Sequence, residues 1–326
     1  MTELVVRAES WPIRGRFAIS RGAKTRADVV LVELQAGDHS GFGECVPYAR
    51  YGESTGSVIA QVESLRQDVQ QGLTREQLQQ KLPSGAARNA LDCAFWDLQA
   101  KMSQQRVWEL LGLPVPKPLT TAYTLSLDTP GNMHKAALGQ ADRPLLKLKL
   151  AGEGDIERVR SVRDGAPGAR LVVDANEGWD AGVYERMVPE LQRLGVELIE
   201  QPLPAADDEA LRSLPRPIPI CADESCHDSA SLGELRGKYD AINIKLDKTG
   251  GLTEALRLRH AAEAEGARIM VGCMLATSLA MAPATLLAQG AAIVDLDGPL
   301  LLEKDREPGL RFVDSVVHPP RPELWG

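Results

Sequence analysis

Five short apolar runs recur about every 25 residues through the middle of this chain, each with a charged residue at its end. The runs are Leu145–Leu150 with Lys147 and Lys149, Val172–Asn176 with Asp174, Leu198–Pro202 with Glu200, Ile220–Glu224 with Asp223, and Ile242–Asp247 with Lys245. A sixth run, Val294–Gly298, carries Asp295 and Asp297. A soluble core has no use for charges at the ends of apolar strands. A barrel whose strand ends converge on one site does.

Strand and helix signals alternate after residue 115. Strand patterns fall near Thr121–Leu125, at Leu145–Leu150 and at Leu171–Asp174, and helical patterns start at Thr129-Pro130 and Asp155. Asp128-Thr-Pro130 carries the cap-then-proline signature of a helix start. Repeated strand–helix units imply a parallel sheet with right-handed crossovers. Eight strands, ending near Ile293–Asp297, predict a (β/α)8 barrel over residues 116–299. Residues 1–115 read differently. Strand patterns at Glu3–Arg7, Ala27–Leu34 and Gly41–Cys45, with a hairpin turn at Gly37-Asp38, precede helical ones. Ala87, Ala90, Leu91, Ala94, Phe95 and Leu98 form one helix face. This is a small α+β unit, to which the Pro-rich tail 300–326 is expected to return.

Alternation across a strand puts Lys147 and Lys149 on one face, with Leu146, Leu148 and Leu150 on the other. The same rule groups Asp174 with Asn176, Lys245 with Asn243 and Asp247, and Asp295 with Asp297. Lys149, Asp174, Glu200, Asp223 and Lys245 are read as occupying one structural position on five consecutive strands. Three carboxylates from adjacent strands suit a hard cation, and one Mg²⁺ fits best because it leaves positions for substrate oxygens. Two lysines flanking that cation suit removal of a proton from a carbon next to a carboxylate. A lysine acting as base must be neutral, and a nearby Mg²⁺ and a second lysine both push its pKa in that direction. Lys147 adds positive charge beside the substrate carboxylate.

The formal net charge of −8 and the pI near 5.3 disfavour nucleic acid or an anionic membrane as partner. Five cysteines make no disulfide framework and fit a reducing cytoplasm. The start lacks a signal-peptide pattern. Near-absence of histidine around the motifs argues against zinc. The apolar stretch Ile269–Val294 reads as strand, loop, helix and strand, not as a membrane span.

These motifs closely resemble the enolase superfamily, in its muconate-lactonizing subgroup, over essentially the whole chain. Ala86–Leu98 is similar to that family's capping-domain helix and Lys147-Leu-Lys149 to its KxK motif. The resemblance implies that Lys149 and Lys245 are the opposed acid/base pair and that Asp174, Glu200 and Asp223 are the metal ligands. Asp295-Leu-Asp297 resembles the DxD motif of dipeptide epimerases, where the aspartates hold the substrate's α-ammonium group. Asn243–Gly251 and Gly272-Cys273-Met274 resemble the L-Ala-D/L-Glu epimerases, in which backbone around the Gly-Cys-Met segment contacts the dipeptide. Two capping loops, expected at Ser20–Arg26 and Pro47–Ser54, would close over the substrate. An arginine that pairs with a glutamate side chain in that group aligns with Lys24, with Arg21 and Arg26 beside it; lysine keeps the charge and loses the bidentate fork. Glu224 and Asn176 are read as supporting the ligands and lysines.

The implied activity is Mg²⁺-dependent epimerisation of a dipeptide such as L-Ala-Glu at the α-carbon of its C-terminal residue, in cell-wall peptide recycling. Rival readings are o-succinylbenzoate synthase, N-succinylamino acid racemase and muconate cycloisomerase, which share the half-reaction. A reading of a different class is an inactive barrel that binds peptide or metal. The implied partner is a small molecule, and a homo-oligomer is compatible with the sequence.

Overall fold

Val29 to Leu34 are apolar at five of six positions, and the strand that contains them is buried on both faces. The computed structural model, which describes residues 2–326, places it at the centre of a three-stranded antiparallel sheet. That sheet comprises β1 (Glu3–Ile19), β2 (Gly22–Ala36) and β3 (His39–Cys45). Val30, Val32 and Leu34 pack on helices 55–64 and 86–103, whereas Val29 and Leu31 join the core shared with the barrel. The β1–β2 ribbon is much longer than its sequence signals. It slips register between Pro12 and Phe17 and turns at Ser20-Arg21. The expected open loop over 20–26 is therefore a hairpin tip, with Lys24 and Arg26 already in β2.

Helix 86–103 is buried on most of its circumference because it lies between this sheet and the barrel. Gly41 and Gly43 allow the contact: a Cβ on Gly43 would lie 2.0 Å from the Ala90 carbonyl oxygen, and one on Gly41 2.3 Å from Leu98 N. Two of the helix's buried polar groups, Asp92 and Arg88, face the barrel. Asp92 accepts from Thr253 N (2.9 Å) and Thr253 Oγ1 (2.7 Å), capping helix 252–264 from outside, and Arg88 donates to the Thr249 carbonyl at 2.6 Å.

After β4 (Leu119–Thr120) come eight parallel strands in sequential order. They are β5 (Tyr123–Leu125), β6 (Leu145–Lys149), β7 (Arg170–Asp174), β8 (Val196–Glu200), β9 (Ile220–Ala222), β10 (Ala241–Ile244), β11 (Arg268–Val271) and β12 (Ile293–Val294). One backbone bond, Ala122 N to the Val294 carbonyl at 2.8 Å, joins the ends of the sheet. The strands' outward leucines and valines pack beneath helices 130–138, 155–165 and 181–193. After β8 and β9 the crossovers are irregular, with only 3₁₀ turns and one four-residue helix. Among the described residues no helix is long and apolar enough to cross a membrane. The tail adds β13 (Phe312–Val313) and β14 (Val316–Val317), a hairpin whose second strand pairs with β4. Arg306 bonds Glu9 and Glu44, and Trp325 Nε1 donates to the Cys93 carbonyl at 3.0 Å.

Inside the barrel, Ala122, Leu145, Val172, Leu198, Cys221, Ala241, Met270 and Ile293 form a closed apolar floor. Two residues further along each segment stand Thr124, Lys147, Asp174, Glu200, Asp223, Asn243, Gly272 and Asp295. Four residues above the floor come Lys149, Asn176, Lys245 and Asp297. The five-residue alignment expected from sequence thus separates into two layers, carboxylates below and the two lysines above.

Candidate active site

Asp174, Glu200 and Asp223 are buried, and each offers an oxygen within 4.8 Å of the others. Adjacent registers bring them together: Asp174 stands opposite Glu200, and Glu200 opposite Cys221. Asn176 N donates to Asp174 Oδ1 at 2.9 Å and Asn243 Nδ2 to Glu200 Oε1 at 2.7 Å. Burial and then the Asp174 charge push the Glu200 carboxyl up to about 7. Burial acts the same way on Asp174, but Lys149 and Lys147 outweigh it and hold that carboxyl at about 2. Glu200 Oε2 lies 2.6 Å from Lys147 Nζ yet has no partner in hydrogen-bond geometry. An all-oxygen set with such an underused buried acceptor fits a hard divalent cation.

Lys149 Nζ lies 2.6 Å from Asp174 Oδ2, and Lys245 Nζ 2.6 Å from Asp223 Oδ2. The two amines rise from the second and sixth barrel strands, with the triad's three strands between them. Burial would lower the Lys245 ammonium, but Asp223 and Glu200 together hold it well above its ordinary value. That direction is opposite to the one a base needs, because the lysines here serve as counter-charges to the carboxylates. A divalent cation bound at the carboxylates would take over that neutralisation and lower the Lys245 amine.

Lys147 sits in the lower layer between three acids, at 2.6 Å from Glu200, 2.8 Å from Asp295 and 3.3 Å from Asp174. Asp295 Oδ2 is thereby paired within the protein, while its Oδ1 is buried without a hydrogen-bond partner. Asp297 accepts from Thr124 N at 2.6 Å, and burial followed by the Asp295 charge raises its carboxyl to about 7. Asp247 does not join this group. β10 ends at Ile244, the alternation stops, and Asp247 Oδ1 instead accepts from Val46 N (2.9 Å) and Asn89 Nδ2 (2.8 Å) of the capping unit.

A cavity of about 380 Å³ runs from Lys149, Asp223 and Lys245 up to the β1–β2 ribbon. Cys273 and Met274 line one wall, and burial, followed by the Asp295 and Asp297 charges, raises the Cys273 thiol well above its ordinary value. Lys24 and Arg26 are on the rim. Arg26 donates to Ser10 Oγ (2.7 Å) and to the Ser10 carbonyl (2.8 Å), while no carboxylate among the described residues pairs with Lys24. Arg21 is engaged elsewhere, 2.6 Å from Glu224. Asn176 and Glu224 lie side by side, 3.4 Å apart, each with one buried unpartnered oxygen.

Sequence reasoning missed Lys248. It is fully buried and donates to Asp223 Oδ1 (2.6 Å), to the Asp223 carbonyl (2.6 Å) and to the Asn243 carbonyl (2.9 Å). Its signal was present, one short helical turn beyond Lys245. Glu177 and Arg50, which pair at 2.8 Å, were also missed, and loop residues carry no periodic signal.

The model of the mandelate racemase / muconate lactonizing enzyme N-terminal domain matches residues 1–112, and that of the enolase C-terminal domain-like family matches residues 133–322. The chain is 48% identical over 320 residues to an L-Ala-D/L-Glu epimerase of Escherichia coli (strain K12), covering 98% of this chain and 100% of the relative. It is 47% identical over 302 residues to an N-acetyl-D-glutamate racemase of a Pseudoalteromonas species, covering 91% and 95%. A crystal structure of an enolase family member from Agrobacterium tumefaciens with homology to dipeptide epimerases superposes with a TM-score of 0.98 at 53% identity, covering 100% of both chains. That structure holds sodium and L-Ala-L-Glu with an ordered loop.

Proposed function

The chain belongs to the mandelate racemase / muconate lactonizing enzyme family of the enolase superfamily, and from that premise we propose that it is a Mg²⁺-dependent epimerase of L-Ala-D/L-Glu. The observation that carries this reading is the two-layer arrangement: two amines on opposite flanks of a carboxylate triad, one layer above it. Residues 1–115, with 300–326, are read as the unit that selects the substrate, and 116–299 as the barrel that performs the chemistry.

Asp174, Glu200 and Asp223 hold one Mg²⁺. When bound, the ion polarises the substrate carboxylate and stabilises the negative charge that develops as the α-proton leaves. Lys149 or Lys245, neutral, takes that proton from one face, and the other lysine, as ammonium, delivers one to the opposite face. The α-carbon is inverted and the proton count is unchanged. Asn243 and Lys147 fix Glu200, and Lys248 fixes Asp223, so the carboxylates do not swing when the lysines change charge. Asp297 meets the substrate ammonium. Lys24, the rim cation left without a carboxylate partner, pairs with the glutamate side chain.

Incubating the protein with L-Ala-L-Glu and Mg²⁺ in D₂O tests this. The α-proton of the glutamate should exchange and L-Ala-D-Glu should accumulate. A synthase or cycloisomerase would leave that proton in place. A second reading, racemisation of an N-acylated glutamate, is supported by the pairing of Asp295 with Lys147 at 2.8 Å, which reduces the negative charge facing an uncharged amide nitrogen. N-acetyl-glutamate in the same assay distinguishes the two.

A further inference from the structure

The two segments that cover the cavity meet the barrel at one turn. Arg21, at the tip of the β1–β2 ribbon, donates from Nη1 to the Asn176 carbonyl (2.7 Å) and to Glu177 Oε2 (3.1 Å). From Nη2 it donates to Glu224 Oε1 (2.6 Å) and to the Tyr48 hydroxyl (2.9 Å). Ser20 Oγ reaches the same Asn176 carbonyl at 3.0 Å. Arg50, from the second covering segment, forks onto Glu177 with two bonds of 2.8 Å. Ala205 N adds a bond to Glu177 Oε1 at 2.8 Å. Asn176 and Glu177 both hold a left-handed backbone, φ 45° and 65°, which non-glycine residues keep only when their surroundings enforce it.

The clasped groups are joined to metal ligands. Asn176 N donates to Asp174 Oδ1, so the turn is bonded to the first ligand. Glu224 follows the third ligand, Asp223, in the chain and is buried. Arg21 therefore touches groups attached to two of the three carboxylates at once. With the ribbon lifted, the Asn176 carbonyl and Glu177 lose donors, and Glu224 loses the only cation bonded to it among the described residues.

We propose that Arg21 is a positioning residue that couples closure of the ribbon over the substrate to cation binding at Asp174 and Asp223. This rests on the reading that the triad holds Mg²⁺. Coupling is reciprocal: the ion favours the closed ribbon by the same factor with which closure favours the ion.

Limited trypsinolysis of the full chain reads the coupling directly, because Lys24 and Arg26 on the ribbon are exposed cleavage sites. In the wild type, saturating Mg²⁺ should slow cleavage there about fivefold or more, the low end of common coupling factors. In Arg21→Gln and in Glu177→Gln that protection should fall to less than about twofold. The two variants change the local charge in opposite senses, so a shared loss cannot be a simple field effect. Calorimetry with Mg²⁺ and circular dichroism establish that each variant is folded and loaded. Wild type that binds Mg²⁺ without protection, or variants protected as well as wild type, would overturn the coupling and leave the triad reading intact. Wild type that binds no Mg²⁺ would overturn both.

Discussion

Replacing Lys149 by alanine separates proton removal from inversion. The amine lies 2.6 Å from Asp174 Oδ2 on one flank of the triad, and Lys245 keeps its own place on the other. A positioned base contributes about 10²–10⁴ in rate, or about 3–5 kcal/mol of barrier. Epimerisation needs both amines and should fall by that factor or more in either direction. Exchange needs only one. The epimer whose α-hydrogen faces Lys245 should still exchange with D₂O at a rate within about tenfold of wild type, and its partner should not. Lys245→Ala should show the mirror pattern. The loss on the Asp174 side is contained, because Lys147 remains 3.3 Å away and the carboxylate is not stranded without a cation. Mg²⁺ affinity should therefore stay within a few-fold of wild type. The assay is proton NMR of the α-position for each epimer, with chiral separation of the products. If either single variant loses exchange of both epimers equally, or still inverts at near the wild-type rate, the two-sided arrangement is wrong.

Three further outcomes follow from the charges. Asp297→Asn should raise KM for L-Ala-L-Glu by about tenfold or more, the weight of a charge-assisted bond, and change KM for N-acetyl-glutamate far less; steady-state kinetics on both compounds decide it. Asp247 is held up to about 7 in the folded chain by burial, against an ordinary 3.8. Its proton stabilises the fold below pH 4, and that contribution is lost as pH rises to about 7, so Asp247→Asn should flatten the fall of urea midpoint over that window. Arg306→Ala leaves buried Glu44 with only Thr277 N and Oγ1 as donors, and should cost about 3–5 kcal/mol by urea denaturation.

Most of the candidate site's placement was legible because strand alternation is strict. Lys149, Asp174, Glu200, Asp223 and Lys245 each continue the count that begins at an apolar floor residue, so type and spacing alone brought them together. What alternation cannot give is height. A barrel shears its strands, and residues that look equivalent in sequence stand in different layers, as Lys149 does above Asp174. The count also fails where a strand stops. Asp247 belongs to the same series on paper but lies in a helical turn and faces Asn89. The ribbon tip was misread as a loop because Lys24, Thr25 and Arg26 are polar on both faces, and a two-stranded extension over a cavity buries too little to show a period.

The meeting of β5 with β12 carries one backbone bond, and two side chains reinforce it: Leu296 N donates to Thr121 Oγ1 at 2.8 Å, and Thr124 N to Asp297 Oδ2 at 2.6 Å. The barrel is thus stitched at its weakest join by the same carboxylate proposed to meet the substrate's amino end. A ligand that draws on Asp297 tugs at that stitch. Amide exchange at Ala122, Thr124 and Leu296 should report occupancy more sensitively than amides in the continuous strands opposite.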